Sequence, residues 1–598
     1  MLIGLLLLVL YACSSDDNSS LWTSPQVLVS TSDITLSKSS TNNNGDVVVI
    51  WQQTEQDERV DQATQDAHDA SIPYAETDPI SAARTITLDD GTAVLYDNTN
   101  LEHRTIAKQF DYADHSTHSH VDLYTRTNIL AKTFSASSST WSADVTLQTG
   151  FWIKNQSAER IDVKNPEQQL KITDNFAERH NSHLISAKND SGDAIAAWIQ
   201  FVESSDASGE ASSSYEILVS HFSKSANTWS EIERVAFANV LKVEDLSVSL
   251  ADDGSSQLLW LARDVTANRT NLYASTYDAT GKTWSSESLV SDGLTDVSLA
   301  PKLTMFDAQS GVVIWGQINP AASANGLESQ INLYANWYNA SGWFTTPALV
   351  SDGLGDVSDY GISTNNQGGV WAYWVQNKAS SASDSNSIRQ TFAAWVSQFN
   401  GDISADLNNG AWTNRSTIQG DDSATAEDDS LQTPSQLSLA VDGAGNVIAT
   451  WIQALALDTA DSKNTIWNNA TRHNVWFNIY KISHASTDGD GNSIAVDEWL
   501  GAKLLDENSQ FSNAMPVVIA TSNNQFSIVW KRWTSSSQQS GDTLFSKDYD
   551  VSTETLSTVT AVNATSDNIR HIHLSTSGSQ STRIVWVSEN TALQQASK

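Results

Sequence analysis

Short runs of apolar residues, each ending at or near a tryptophan, recur along the whole chain. The plainest copy runs from Gln436 to Gln453, QLSLAVDGAGNVIATWIQ. Its VIATW segment is rich in β-branched and aromatic residues, and VDGAGN has the Asp and Gly residues of a tight turn, so the stretch predicts a strand, a turn and a second strand. Looser copies of the second strand bring the total to eight, at Trp51, Trp198, Trp260, Trp315, Trp374, Trp451, Trp530 and Trp586.

A second series of tryptophans alternates with the first. Its members open short strands of similar pattern, at Trp22, Trp141, Trp229, Trp284, Trp343, Trp412 and Trp499. Four separations from this series to the next first-series tryptophan are 31 residues: Trp229 to Trp260, Trp284 to Trp315, Trp343 to Trp374 and Trp499 to Trp530. Runs such as NLYASTYD lie between the two series and alternate apolar and polar residues, as strands do. Each unit is therefore predicted to have four strands, A to D.

Repeated units of four short antiparallel strands predict an all-β fold, a β-propeller. Segments such as VVVIW are apolar on both faces, which fits B strands covered on both sides by neighbouring blades. The chain begins with an isolated D strand, LWTSPQVLVS, and ends with an A and B pair, HIHLSTSGS and TRIVWVS, followed by ENTALQQASK. We expect eight blades closed by the N-terminal strand, with seven as the alternative if a terminal unit is incomplete. Unit seven lacks the second tryptophan and has TETLSTVTAV instead.

The first residues carry an apolar run too short for a permanent membrane span, MLIGLLLLVLYAC. With Leu10 and Ala12 before the single cysteine, Cys13, the run resembles a bacterial lipoprotein signal. The resemblance implies a signal peptide at 1–12, a lipidated Cys13 with a linker at 13–20, and one propeller domain at 21–598. It also implies an outer-membrane lipoprotein, on the periplasmic or the cell-surface side, that touches the membrane through its lipid anchor only. An ordinary secretory signal, and hence a secreted protein, is the alternative.

The charge balance restricts the partners. The chain has 70 acidic and 33 basic residues, a net charge of −37. Nucleic acid and anionic lipid need basic patches, so neither is an expected partner. The acidic residues are spread along the chain, which favours solubility in a salty medium over an acidic binding function. With one cysteine there is no intramolecular disulfide, and stability is expected to come from the packed core.

Two insertions interrupt the repeat on one face of the predicted ring. They lie at about 54–120, between strands B and C of unit one, and at about 150–179, between units one and two. Both are expected to form a cap over one side of the central channel, and variable loops on a rigid scaffold commonly carry binding residues. Histidines gather there, with an arginine, as candidate ligand-binding residues: His115, His118, His120, Arg179, His180 and His183. His118 and His120 share one side of a strand and have the spacing of two metal ligands; polar loop histidines are the alternative.

A turn in unit six suggests a cation site. In STDGDGNSIAVDEW, the oxygen-bearing residues Asp488, Asp490 and Asn492 alternate as in calcium loops. The twelfth position holds Trp499 in place of a carboxylate. Calcium is therefore the one cofactor that the sequence suggests, with a solvated turn as the alternative.

Two resemblances to known families concern single segments. YDATGKTW, at 277–284, resembles the Asp-box of sialidase-type propellers, which implies a structural turn; the sialidase catalytic residues have no counterpart here. His180 and Asn181, which lead into an A strand, resemble a segment of ulvan-lyase-type propellers. Elimination from a uronic acid needs a base, a cation for the carboxylate and an acid, for which His180, Arg179 and Tyr112 are the candidates.

Two hypotheses for the function follow. The first is a non-catalytic surface lipoprotein that binds a glycan or protein partner through its looped face. The second is a carbohydrate-active enzyme, a polysaccharide lyase or a glycoside hydrolase, with its site under the cap of blades one and two. The fold does not decide between them.

Overall fold

The computed structural model consists of antiparallel sheets arranged around one axis. It describes residues 26–598 except 31–33, 43, 61–83, 88–92, 97–109, 112–115, 151–152, 163–168, 176–181, 206–210, 236–239, 266, 309, 320–329, 352–355, 366–368, 379–390, 400–411, 413–415, 419–433, 455–472, 488–492, 507–511, 537–538, 564–568, 577–581 and 589–591. Within that part of the chain, no helix has the length and apolar character that crossing a membrane requires.

Eight four-stranded blades form the ring, which confirms the predicted fold and the preferred blade number. Each blade runs from an inner strand A to an outer strand D, and D is split in two in most blades. Blade 1 has β2 (Ile34–Thr41), β3 (Val47–Val60), β7 (Ser116–Ser135), β8 (Thr140–Trp141) and β9 (Val145–Gln148). Blade 2 has β12 (Ser182–Lys188), β13 (Ala194–Ser205), β14 (Ala211–Ser223), β15 (Thr228–Trp229) and β16 (Glu233–Val235).

Blades 3 to 5 repeat this order. Blade 3 has β17 (Val240–Leu250), β18 (Ser256–Asp264), β19 (Thr270–Asp278), β20 (Thr283–Trp284) and β21 (Ser288–Leu289). Blade 4 has β22 (Val297–Asp307), β23 (Ser310–Ile318), β24 (Ile331–Asn339), β25 (Gly342–Trp343) and β26 (Ala348–Leu349). Blade 5 has β27 (Val357–Thr364), β28 (Val370–Lys378), β29 (Thr391–Phe399) and β30 (Ser416–Thr417).

Blades 6 to 8 complete the ring. Blade 6 has β31 (Ser435–Val441), β32 (Val447–Ala454), β33 (His473–Thr487), β34 (Ser493–Trp499) and β35 (Lys503–Leu504). Blade 7 has β36 (Ser512–Ser522), β37 (Gln525–Ser536), β38 (Gln539–Asp550), β39 (Thr555–Leu556) and β40 (Thr560–Ala561). Blade 8 has β41 (Ile569–Thr576), β42 (Thr582–Ser588), β43 (Ala592–Ser597) and, from the other end of the chain, β1 (Gln26–Ser30).

The two chain ends meet in blade 8. β1 pairs antiparallel with β43, with Gln26 opposite Gln595 and Ser30 opposite Ala592. The predicted closure by the N-terminal strand is confirmed. The C-terminal segment ENTALQQASK supplies strand C, although the sequence pattern assigned no strand to it. The strand has no β-branched residue. Burial of Gln595 and Ala596 in the blade stabilises it instead.

The two tryptophan series have different structural positions. All eight first-series indoles lie in B strands and are fully buried, between the faces of adjacent sheets. Trp22 of the second series lies outside the described residues; the other six indoles lie at the outer edge, each opposite an aromatic residue of strand C. Six such pairs have ring centroids 4.9–5.6 Å apart: Phe134–Trp141, Phe222–Trp229, Tyr277–Trp284, Tyr338–Trp343, Phe399–Trp412 and Tyr480–Trp499. In blade 7, Leu556 takes the place of the second-series tryptophan and lies opposite Tyr549.

The polar residues of the repeat hold the A-to-B turns and join neighbouring blades. At the start of four turns an Asn or Asp Oδ1 accepts the backbone N–H four residues on, at 2.8 Å, in the pairs Asn42–Asp46, Asn189–Asp193, Asn365–Gly369 and Asp442–Asn446. The side-chain amide of Asn42 also donates to the carbonyl of Asn189, and that of Asn189 to the carbonyl of Ala251. The turn motif is therefore structural.

The Asp-box-like segment has the same kind of role. Asp278 Oδ1 accepts the N–H of Thr280 at 2.8 Å, and Ser285, which follows Trp284, accepts the N–H of Thr276 at 3.0 Å. Ser142 and Ser230 accept equivalent N–H groups in blades 1 and 2, so the residue after the second-series tryptophan fixes strand D to strand C.

The two insertions extend the sheet of blade 1. β3 and β7 remain paired out to Val60 opposite Val121. β10 (Ile153–Asp162) pairs with the extended half of β7, and β11 (Gln169–Asn175) pairs with β10. β6 (Phe110–Asp111) also pairs with β7, while β4 (Arg84–Thr87) and β5 (Ala93–Tyr96) form a separate hairpin. Parts of both insertions, β6 and β10, thus pair with β7 in one sheet. That the insertions cap the channel stays a prediction.

An aromatic contact between blades 2 and 3 gives a pH-dependent prediction. The His221 ring stacks on that of Tyr277, with centroids 4.3 Å apart, and burial lowers the pKa of His221 from 6.5 to about 4. The unfolded chain therefore binds a proton that the folded chain does not between these pH values, and stability falls as the pH drops from about 6.5 to 4. We expect His221→Phe to flatten this dependence, measured as melting temperature at pH 4.5 and 7.5.

The control for this change is His183→Phe, which removes an exposed imidazole. The wild-type protein should lose more stability on acidification than His221→Phe, and His183→Phe should follow the wild type. An equal acid loss in wild type and His221→Phe would contradict the assignment.

Candidate functional site

The eight inner strands surround the axis and define a central channel. Each contacts the next around the ring, from β2 to β12 and on to β41, which contacts β2 again. The inner strands begin at the face from which the B-to-C and D-to-A connections emerge, here called the looped face. Residues near the start of each inner strand therefore lie at the mouth of the channel on that face.

Every inner strand has a register irregularity of the β-bulge type near this mouth. The extra residues lie between paired positions, opposite or close to the buried tryptophan of strand B. They are Thr35, His183–Leu184, Glu244, Ala300–Pro301, Asp359, Gln436–Leu437, Met515–Pro516 and His571. β-Bulges redirect side chains and recur beside functional sites. We call this set the bulge ring.

Four bulge residues have a backbone conformation that L-residues rarely adopt. The φ angles of His183, Asp359, Gln436 and Met515 are +54°, +42°, +53° and +52°. A non-glycine residue in the left-handed region carries strain, and such residues concentrate where function requires a fixed side-chain direction. Their occurrence at equivalent positions in four blades makes the bulge ring the strongest site candidate in the described chain.

Hydrogen bonds fix the ring from one blade to the next. The Asp359 Oδ2 accepts the N–H of Leu437 at 2.8 Å, and the Gln436 Oε1 accepts the N–H of Met515 at 2.5 Å. The Tyr360 hydroxyl donates to the carbonyl of Ala300 in the preceding blade. Side chains at the mouth are thus positioned by backbone groups and pay little additional ordering entropy on binding a ligand.

Charged groups of both signs face this region. Burial raises the pKa of Asp359, against the opposing effects of the N–H groups of Leu437 and Gln436 and of the Lys302 charge. Burial, followed by the charge of Lys302, lowers the pKa of Lys38, and Asp245 opposes this. Asp359, Lys38 and Lys302 nevertheless have solvent-exposed side chains. Both observations fit side chains that reach a water-accessible channel while protein surrounds them.

Some of the predicted site residues lie in the part of the chain that the structure describes, and others lie outside it. Outside the described residues lie Cys13, Tyr112, His115, Arg179, His180, Asp488, Asp490 and Asn492. His118 and His120 lie in β7, opposite Ile161 and Glu159 of β10. His183 lies in the bulge ring with an exposed side chain. In the part of the chain that is described, no three His, Cys, Asp or Glu side chains are grouped as metal ligands would be.

The channel-mouth residues on blades 3 to 6 were not among the sequence candidates. They are Glu244, Asp245, Lys302, Asp359, Tyr360 and Gln436. The candidates predicted from the sequence are clustered histidines and residues of long insertions, whereas these channel-mouth residues are separated by about one repeat. An alignment of the units on their B-strand tryptophans, followed by inspection of the polar residue opposite each indole, would have found them.

No family model and no curated protein matches this sequence. Solved structures with similar strand arrangements include an α-L-arabinofuranosidase of Fusarium graminearum, 12% identical over 58% of this chain and 88% of that chain, with a TM-score of 0.30. An α-L-arabinanase of Penicillium chrysogenum is 15% identical over 60% and 94%, with a TM-score of 0.31. An ulvan lyase is 11% identical over 72% and 89%, with a TM-score of 0.32. Likenesses at this level carry no inference about activity or substrate.

Proposed function

We propose that this propeller is a non-catalytic binding protein that takes a glycan at the bulge ring, on the looped face of its channel. The observation that supports this proposal is the set of accessible polar side chains held by backbone hydrogen bonds on strained bulges. Rigid strands place such groups more accurately than loops do.

The chemistry of the bulge ring suits a carbohydrate. His183, Asp359 and Gln436 are exposed and Glu244 is half-buried, so imidazole, carboxylate and amide groups are available at one level of the channel. Sugar hydroxyls both donate and accept hydrogen bonds, and a few fixed polar groups are what orients a small ligand in a concave site. A protein partner on the same face is the other class of ligand. A pull-down that compares the wild type with the Asp359→Asn variant described below would distinguish a protein partner from a glycan.

Asp359→Asn tests the proposed site. The asparagine retains an oxygen for the Leu437 N–H, so the bulge should persist, while the charge at the mouth is lost. We expect about a tenfold loss of glycan affinity, the effect of removing one charge-assisted hydrogen bond. The measurement is isothermal titration calorimetry against the oligosaccharide with highest retention in a panel of acidic and neutral polysaccharides.

Glu231→Gln is the matched control, because Glu231 is an exposed carboxylate next to strand D at the outer rim. It should bind as the wild type does. If Asp359→Asn and Glu231→Gln bind every retained glycan equally well, the bulge ring is not the binding site.

Two carboxylates in one channel support a second candidate function, glycoside hydrolysis. Asp245 and Asp359 come from different blades, and burial raises the pKa of Asp359, which is the condition for a general acid. The panel should therefore also be followed for new reducing ends and for unsaturated ends. Cleavage that is lost in both Asp359→Asn and Asp245→Asn would replace the binding proposal with this one; retention without cleavage would support binding.

We further propose that Cys13 carries the lipid that holds the propeller at the outer membrane. The support is the resemblance of residues 1–13 to a lipoprotein signal. Labelling with an alkyne-tagged fatty acid should mark the wild type and leave Cys13→Ser unmarked; labelling of both, or of neither, would contradict the anchor.

A further inference from the structure

Two lysines lie at the same level of the channel, on blades that are not neighbours. Lys38 of β2 is opposite Ile50, and Lys302 of β22 is opposite Ile314. Each of these isoleucines directly precedes the buried tryptophan of its B strand. The inner strands β12 and β17 separate β2 from β22 in the ring, yet the charge of Lys302 acts on Lys38, so the two lysines influence each other across the channel.

Neither lysine has a charge-neutralising contact with a residue that the structure describes. Within the described chain, no carboxylate lies at ion-pair distance from Lys38 or Lys302, and neither ammonium donates a hydrogen bond. Other lysines of this acidic protein are paired: Lys132 with Asp144 at 2.8 Å, Lys481 with Glu554 at 2.6 Å and Lys531 with Asp542 at 3.1 Å. In contrast to those three lysines, Lys38 and Lys302 have no described carboxylate at ion-pair distance, so their charges are available to a ligand in the channel.

The arrangement has an electrostatic cost that a ligand would relieve. The Lys302 charge acts against the charged form of Lys38, while Asp245 is the described carboxylate that opposes this effect, and Lys302 in turn acts on Asp359. Both aspartates lie nearer the mouth than the lysines. Asp245 is opposite Leu261, the residue after the buried tryptophan of its blade, and Asp359 directly precedes Tyr360, which is opposite Trp374. An anion bound at the level of the lysines would contact two ammonium groups, and the two carboxylates would lie between it and the mouth of the channel.

We propose that Lys38 and Lys302 form a seat for a carboxylate or sulfate group of an acidic glycan, whose neutral part contacts the bulge ring. This inference rests on the proposed glycan-binding function and names its ligand class. The net charge of −37 acts at long range and is screened beyond about 8 Å at physiological salt, whereas the two ammonium groups act at contact. An acidic protein can therefore hold a polyanion at this point of the channel.

The test compares Lys38→Met and Lys302→Met with Lys282→Met, whose lysine is exposed on the C-to-D turn of blade 3. The probes are an oligogalacturonate, a sulfated galactan fragment, a neutral galactan fragment of the same length and sodium sulfate, each titrated at 0.15 M ionic strength. We expect the acidic oligosaccharides to bind about tenfold to a hundredfold more weakly to either channel variant, with neutral binding and Lys282→Met unchanged.

Each other outcome overturns the seat. Equal losses for neutral and acidic fragments would mean a general disturbance of the channel, and unchanged acidic binding would mean that the lysines do not contact the ligand. Binding of sulfate without any acidic oligosaccharide would reduce the seat to a site for free anions. Glycan binding that is sensitive to Asp359→Asn but not to the lysines would keep the proposed function and exclude the seat.

A second readout separates binding from folding. Removing one of two like charges should leave the melting temperature of Lys38→Met unchanged or raise it slightly. A clear fall in melting temperature would identify Lys38 as a structural residue and contradict the seat.

Discussion

Replacing Trp451 with alanine is expected to lower the free energy of unfolding by about 3–5 kcal/mol, the usual cost of emptying a buried tryptophan site. The indole is completely buried, and its Nε1 donates to Gln453 Oε1 at 2.8 Å. It packs with Trp371, Val396 and Leu439, so a cavity there would affect both blade 5 and blade 6. Chemical denaturation followed by far-ultraviolet circular dichroism measures the loss.

Trp499→Ala is the matched control, because it removes the same side chain from the outer series. Trp499 is partly exposed and rests on Tyr480, with ring centroids 5.6 Å apart. Its loss should cost about 1–2 kcal/mol. Equal costs for the two variants would contradict the distinction between core and edge tryptophans.

Deleting residues 1–31 should open the ring. The deletion removes β1, which has four cross-strand pairs with β43 and contributes the half-buried Leu28, together worth about 3–5 kcal/mol. It also leaves the N–H and C=O groups of β43 unpaired at a sheet edge, which favours association between copies. Size-exclusion chromatography with light scattering should show oligomers, and thermal unfolding should begin at lower temperature. Deleting only residues 1–20, before β1, should change neither.

A cross-link gives an independent check on this closure. Val27 and Gln594 are opposite each other in the β1–β43 register, the geometry in which a disulfide forms between neighbouring strands. With Cys13 replaced by serine, Val27→Cys combined with Gln594→Cys should form a disulfide and raise the stability by about 3–5 kcal/mol, reversibly with reductant. Failure to oxidise would place the chain ends elsewhere.

The hydrophobic pattern was informative about the scaffold because the scaffold repeats. Each B strand is buried on both faces, so it needs an apolar run and a large side chain in every blade, and the eight tryptophans record this requirement. In four units the D-to-A connection and the A-to-B hairpin together keep one length, which accounts for the recurring separation of 31 residues, whereas the D-to-A connections that follow blades 1 and 5 are longer. Strand C of blade 8 did not follow the pattern, since Gln594 lies opposite Trp586, at a position where the other blades have an apolar or aromatic residue.

The candidate site followed no such pattern. Lys38, Asp245, Lys302 and Asp359 are far apart along the chain, and each lies in an inner strand whose other polar residues do not set it apart. Their common feature is a position in the inner strand near the B-strand tryptophan, and Asp245, Lys302 and Asp359 lie at or beside a bulge. Bulges depend on how the sheets pack around the axis. The histidines in and beside the insertions were predicted as site residues from composition alone. Among those histidines, His183 is the one that the described structure places at the channel mouth.

By itself the sequence determined the all-β class, the four-strand unit and a ring closed by the N-terminal strand, with eight blades preferred to seven, because burial in a repeated environment leaves a periodic record of apolar residues. Only the tertiary structure decided which polar residues meet at the axis, since closing a ring brings together side chains from blades that are a hundred or more residues apart. The physical reason is that core packing is a local and repeated constraint, whereas a channel site is assembled once, from single residues whose neighbours are set by the closure of the whole ring.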